Sequence, residues 1–284
     1  MTLSIKDGNG DTVELATILD VLGATQTVQI AKSIVTAIGE GSIPGAVASV
    51  KYGRTPTLDT GDPPADIWPL GKTVSNIAEK TSGAVISVVS DDANDTSAGT
   101  GVQKLIVEGI QDSGGGVWVS ASEIVTMNGV TPVNTTATNW IAVNRAYVDD
   151  CGSGSVNAGN ISITHTTDII AYIEADEGQT AQVWQTTPSN TVTLIVGPYV
   201  GIIKNAASKT ISARLQSKEF GKGWRTRNYG EAASSGTSYV QTPAGDLAAF
   251  TVGEKARLRG RVVDVSANNT GVVAGWGYIT LPSA

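Results

Sequence analysis

From about Gly83 onward, apolar and polar positions alternate with a period of two. In Ile161-Ser162-Ile163-Thr164 both isoleucines fall on one face of an extended chain. In Ile141-Ala142-Val143-Asn144-Arg145-Ala146-Tyr147 the odd positions are apolar except Arg145. The same pattern predicts strands over 84–90, 103–110, 117–127, 140–148, 161–166, 169–175, 182–187, 191–204, 210–217, 255–265 and 272–281. Turn residues separate them: Gly114-Gly115-Gly116, Asn128-Gly129, Gly152-Ser153-Gly154, Glu177-Gly178 and Asn268-Asn269. Short strands punctuated this often predict an all-β fold, a β-sandwich or jelly-roll-like main domain over 81–284. No fixed-period repeat is present, which argues against a solenoid or propeller.

Residues 1–80 read differently, as a second region made of a hairpin, a short helix or strand, and an extended Pro-rich N-terminal arm. Ser4–Leu15 carries Asp7-Gly8-Asn9-Gly10 at its centre, a positive-φ turn that predicts a β-hairpin. Over 25–38, Ile30, Ile34, Val35 and Ile38 have helical spacing but are β-branched, so a short helix and a strand both stay open. The stretch 52–69 contains Pro56, Pro63, Pro64 and Pro69, which favour extended chain over regular pairing. Its aromatics Tyr52 and Trp68 need a surface to bury on, which predicts an arm packed on a neighbouring subunit or on its own domain.

Apolar residues make up 40% of the chain, enough for a core, and charged residues only 16%. The net charge of −7 disfavours nucleic acid as the main partner. That charge is uneven: residues 1–203 hold 8 Lys+Arg against 21 Asp+Glu, and residues 204–284 hold 11 against 5. An acidic body with a basic C-terminal part fits head-to-tail or against an acidic surface; ordinary solvated side chains give the same numbers. Cys151 is the sole cysteine, so no intramolecular disulfide is expected. No apolar run approaches the ~20 residues of a membrane span, and no membrane partner is expected.

Candidate chemistry is sparse, and no catalytic, cofactor or metal site is expected. His165 is the only histidine and lies in a strand-like phrase. Cys151 follows Asp149-Asp150, which disfavours a thiolate. Asp91-Asp92-Ala93-Asn94-Asp95 is rich in oxygen ligands but lacks the calcium-loop spacing, and reads as a turn whose side chains bond nearby amides. The phrase Lys218–Tyr229 is more distinctive. Lys218, Lys222, Arg225 and Arg227 are interleaved with Phe220, Trp224 and Tyr229. Such a segment can stack single-stranded nucleic acid or glycan; in an acidic chain it reads better as a protein contact, since Trp, Tyr and Arg are the usual interface anchors. The candidate interface residues are therefore Tyr52, Arg54, Trp68, Lys218, Lys222, Trp224, Arg225, Arg227 and Tyr229.

Several phrases carry a resemblance. They are Ile5-Lys6-Asp7-Gly8-Asn9-Gly10, Ala93–Gly101 with Leu105–Gly109, Val143–Val148, Asn157–Ile161, Gly178-Gln179-Thr180, Glu254–Arg259, and Asn268–Thr270 with Val272–Gly275. As a set they resemble virion structural proteins of tailed bacteriophages, of the head-decoration, cement or fibre-like kind. The resemblance implies a non-enzymatic role in the virion, assembly in the bacterial host cytoplasm, and partners among the major capsid protein, other virion proteins and further copies of the chain as a homotrimer. A tail or tail-fibre component touching the host surface is the alternative within the particle. A carbohydrate-binding or hydrolytic β-sandwich is the alternative outside it. Residues 25–80 match nothing in the resemblance.

Overall fold

The computed structural model describes residues 4–6, 12–14, 17–19, 25–27, 44–71, 80–204, 209–234, 239–241 and 250–283. Twenty-one strands and no helix occur among them. The first four are β1 (Ser4–Lys6), β2 (Thr12–Glu14), β3 (Thr17–Leu19) and β4 (Thr25–Thr27). Then come β5 (Val47–Leu58), β6 (Ala65–Asp66), β7 (Ile86–Ser90), β8 (Val102–Asp112), β9 (Trp118–Thr126), β10 (Val133–Asn134), β11 (Trp140–Cys151), β12 (Ile161–His165) and β13 (Asp168–Ile173). The last group is β14 (Trp184–Thr186), β15 (Thr191–Lys204), β16 (Lys209–Lys218), β17 (Arg225–Ser234), β18 (Tyr239–Gln241), β19 (Phe250–Val252), β20 (Arg257–Val265) and β21 (Thr270–Pro282). The all-β class read from the alternation is the class observed.

Strands β5–β21 form two sandwiches with separate cores. In one, the sheet β10-β7-β12-β13 and the sheet β11-β8-β9 enclose Ile86, Val88, Leu105, Val107, Trp140, Ile161 and Ile163. The burial of β7 and β12 alternates strictly, so every second side chain points into that core. In the other, the sheet β14-β20-β16-β17, with β6 added to β20, faces the sheet β18-β15-β21-β5, with β19 added to β15. Leu58, Ile195, Ile211, Leu215, Val262, Val272 and Trp276 fill the space between. Because β5 and β6 belong to the second sandwich and β7–β13 to the first, the first is an insertion within the second.

The chain crosses between sandwiches twice, side by side. Val183 N donates to Ile67 O at 2.9 Å, Ile67 N donates to Gly260 O at 3.1 Å, and Gly260 N donates to Val183 O at 2.7 Å. Trp68 and Trp184 pack on each other at this junction. Asn144 on β11 ties the two halves further: its Nδ2 donates to Thr186 O at 2.9 Å and its Oδ1 accepts from Thr186 N at 2.8 Å.

Much of the stretch expected to be an arm is instead sheet. Val47–Leu58 pairs antiparallel with β21 over most of its length. Pro56 falls where the Thr270–Val272 register shift interrupts the ladder, and β5 is an edge strand, the one kind of strand that tolerates proline. Ser4–Lys6 pairs with Thr12–Glu14 in the region expected to be a hairpin. Of the region with helical spacing, only Thr25–Thr27 is described, and it is a strand paired with Thr17–Leu19; residues 28–43 lie outside the described residues.

Candidate interaction surface

The outer side of the sheet β6-β20-β16-β17 carries cations, of which Arg257 is buried and Arg259 and Arg261 are largely covered by their partners. On β20, Arg257, Arg259 and Arg261 alternate with the buried Leu258, Gly260 and Val262. On β16, Arg214, Gln216 and Lys218 alternate with the buried Ala213, Leu215 and Ser217. The register sets Lys218 beside Arg257, Gln216 beside Arg259, and Arg214 beside Arg261. Like charges placed directly opposite destabilise a sheet, so Arg257 and Arg261 need compensation. Arg257 donates to Lys80 O and lies over the Trp118 ring at 5.3 Å. Arg259 donates to Gln216 Oε1 at 3.0 Å and stacks on Trp224 at 4.0 Å. Arg261 donates to Pro64 O at 3.0 Å, and the buried Asp66 carboxylate lies 3.7 Å from Arg259 and 3.6 Å from Arg261. The acids Glu231 and Asp264 sit at the far end of this face, opposite Ser212.

At the Lys218 end the face opens into a cleft of about 330 Å³. Lys218, Glu219, Phe220, Lys222, Lys255 and Arg257 line it, with Trp118 of the inserted sandwich as its floor. Trp118 is 2% exposed and meets Phe220 edge-on at 5.5 Å. Lys255 lies 5.2 Å from the centre of Phe220 and 6.0 Å from that of Trp118. These rings attract the half-buried ammonium by their quadrupoles. Glu219 is the single acid in the lining, and Arg227 reaches it at 3.5 Å.

The nine residues singled out in the sequence divide three ways. Lys218, Arg225, Arg227 and Tyr229 lie on the paired strands β16 and β17, and Lys222 and Trp224 lie in the turn that joins them. Tyr229 is 48% exposed and takes Arg214 over its ring at 5.9 Å. Arg227 instead turns to Ser217 Oγ at 2.7 Å and to the Phe250 ring. Tyr52 and Arg54 sit on one face of β5 at the junction. Arg54 pairs with Glu174 and Glu177, each at 2.6 Å. Burial, and secondarily the charge of Glu177, raises the Tyr52 hydroxyl above the ordinary tyrosine range. Trp68 is fully buried in the core, so the surface it needs is the protein's own and not a neighbour's. Sequence reasoning missed Lys255, Arg257, Arg259 and Arg261 as members of this surface. The signal was present in the basic–apolar alternation Arg257-Leu258-Arg259-Gly260-Arg261-Val262.

A second cleft, about 370 Å³, lies between the sandwiches and is lined by Val50, Lys51, Glu108, Ser122, Arg145 and Tyr278 among others. Lys51 is 8% exposed and its Nζ donates to Asn144 O. Burial, reinforced by Arg145 and opposed by Glu108, lowers its pKa to about 7.

The groups with chemical potential are committed to structure. His165 donates from Nε2 to Trp140 O at 2.9 Å, and burial lowers its pKa. Asp95 is fully buried and accepts from Ser90 Oγ and from the amides of Val102, Ala158 and Gly159 at 2.6–2.9 Å. The Asp/Asn cluster therefore fastens loops. No group of three or more His, Cys, Asp or Glu residues among the described residues is arranged to hold a metal ion.

No protein-family model matches the chain, and no curated protein matches it. Among solved structures, the chain is similar to the infectious bursal disease virus VP2 subviral particle, at 11% identity and a TM-score of 0.23 over 89% of this chain and 78% of that one. It is also similar to the Gt strain structure of the same virus, at 8% identity and 0.22 over 84% and 72%. The T=1 particles derived from that virus give 10% and 0.20 over 83% and 69%. Likenesses at these TM-scores lie below a shared fold, and the functional reading rests on the residues.

Proposed function

We propose that the chain is a non-enzymatic structural protein of a tailed-phage particle that decorates or cements the head exterior as a homo-oligomer, a trimer, contacting the major capsid protein. The observation that carries this reading is the basic, aromatic-studded sheet face of β6-β20-β16-β17 on an otherwise acidic chain. Arg, Trp and Tyr are the residues enriched in protein interfaces, and this face carries all three. It is mounted on sheets, which hold it rigid. The phrases resembling tailed-phage virion proteins support the same class. The engagement of His165 and Asp95 in structural hydrogen bonds supports a role without catalysis. The glycan-binding alternative gains little from Trp118, whose ring is 2% exposed and has Lys255 and Arg257 over it, leaving no open face for a sugar. A decoration protein adds buried area across subunit junctions and stabilises a shell by mass action.

The test is to image purified particles by cryo-electron microscopy with and without the chain. Density on the shell at local three-folds is expected. Density confined to the tail axis replaces this reading with the tail-component alternative, and absence from purified particles overturns a virion role.

A further inference from the structure

We propose that the cleft at the end of the basic face receives the acidic loop end of a second copy of this chain, so that copies associate head to tail. This deepens the reading of the chain as a self-assembling structural protein by naming the partner and both surfaces. The two surfaces lie at opposite ends of β8 and β9. Trp118, the cleft floor, begins β9 and pairs with Asp112, the last residue of β8. At the other end, Val102 pairs with Cys151 of β11. An 11-residue strand separates them by roughly 35 Å.

The far end is acidic by construction. Segments 91–101, 149–160 and 174–178 are bonded into one unit. Asn160 binds Asp91 through N and Nδ2, Gly152 N donates to Gly101 O, and Asn157 binds Glu174 O and Gly178 N. This unit presents Asp91, Asp92, Asp149, Asp176 and Glu177. Lys104 meets Asp150 at 3.3 Å, and Arg54 meets Glu174 and Glu177. Asp92, Asp149 and Asp176 make no ion pair among the described residues. At the near end, Lys222 is exposed, and among the described residues the Lys255 ammonium meets the Trp118 and Phe220 rings. Asp112, Glu219 and Glu254 are acids at this end: Asp112 accepts from Gly114 N, Glu219 is met by Arg227, and Glu254 accepts from Asn190 N.

Opposite charge at opposite ends of one rigid body favours a heterologous contact, because an isologous pairing through either end would set like against like. Heterologous contacts close into rings or run on as chains.

Sedimentation velocity on the full chain tests this in solution, without the particle, so this proposal and the location of the protein in a virion can fail separately. Association is expected at about 20 mM NaCl and its loss at about 500 mM, where screening acts within a few ångströms. Two charge variants separate the ends: Lys222→Glu with Lys255→Glu, and Asp149→Lys with Asp176→Asn. Asn tolerates the left-handed backbone found at position 176 (φ 65°). Circular dichroism checks that both are folded. Each variant alone is expected to be monomeric, and an equal mixture of the two is expected to form a dimer, since each keeps one intact end. A monomeric wild-type chain at low salt overturns the proposal. So does association that survives in either variant, or a wild-type chain that binds heparin or DNA through Lys222 and Lys255 without associating with itself.

Discussion

Trp68 and Trp184 meet at a centroid distance of 5.0 Å and an interplanar angle of 57°. One ring comes from the segment entering the inserted sandwich and the other from the segment leaving it. Both belong to that sandwich's core, while their sequence neighbours Ile67 and Val183 belong to the core of the other. The pair therefore joins two hydrophobic cores through adjacent residues on two adjacent crossings.

Trp68→Ala is expected to destabilise the whole chain and not one sandwich alone. Removing a buried Trp costs about 3–5 kcal/mol through lost burial and a cavity. Urea unfolding monitored by far-UV circular dichroism checks this. If the two sandwiches share one cooperative transition through this junction, the midpoint falls and a single transition remains. A variant whose midpoint is unchanged would contradict the junction's role.

Gly53 makes a sharper prediction at the same place. A Cβ there would lie 2.6 Å from the Val183 side chain and 2.7 Å from the Val183 backbone nitrogen. Backbone cannot yield as a flexible side chain does, so Gly53→Ala must push β5 away from the crossing. The expected cost is about 1–3 kcal/mol, the range for overpacking. A melting temperature equal to wild type would show that the crossing is looser than this geometry.

Much of this architecture is legible in the sequence. The period-two alternation placed eleven strand segments, and Thr191–Lys204 was read with the bounds that the structure has. The split into two sandwiches was not legible, because alternation says which face is buried but not against which sheet. Proline misled at 52–69: four prolines argue against a central strand, yet β5 is an edge strand and needs fewer donors. Trp68 looked like an interface anchor for a related reason. A Trp in a proline-rich stretch advertises a need for burial without naming the partner, and here the partner is Trp184. Residues 218–229 stand out in the sequence because they are contiguous. Arg257, Arg259 and Arg261 were passed over because they join that patch only through strand pairing some forty residues away.

Asp95 organises the acidic end through its carboxylate. Three backbone amides converge on it, from Val102, Ala158 and Gly159. Asp95→Asn keeps the shape but replaces one acceptor oxygen with an N–H donor facing a donor. Asp95→Ala leaves all three amides unpaired in a buried site. Each buried unpaired group costs about 1–3 kcal/mol, so the alanine variant is expected to be the worse of the two. Hydrogen exchange should show the amides of Ala158 and Gly159 losing protection in both variants; retained protection would mean that the loops close without the carboxylate.

Lys51 sets the pH dependence of stability near neutrality. Its folded pKa, about 7, lies below that of an unfolded lysine. Between those two values the unfolded chain binds a proton that the folded chain does not, so stability rises with pH there, by about 1.4 kcal/mol per unit. Below pH 7 the folded chain carries the cost of a buried ammonium in full. Two other groups bound the window. The lowered pKa of His165 removes stability as pH falls through the range just below the ordinary histidine value. Tyr52, Tyr147, Tyr172, Tyr199 and Tyr278 all have raised pKa values, so above pH ~10 the unfolded chain loses protons first and stability falls. The urea midpoint is therefore expected to climb from pH 7 to pH 9. Lys51→Met is expected to flatten that climb and to be more stable than wild type at pH 7, since it buries the same stem without the charge. A wild-type midpoint that stays level from pH 7 to pH 9, or a methionine variant that keeps the climb, would show that Lys51 is solvated in the folded chain.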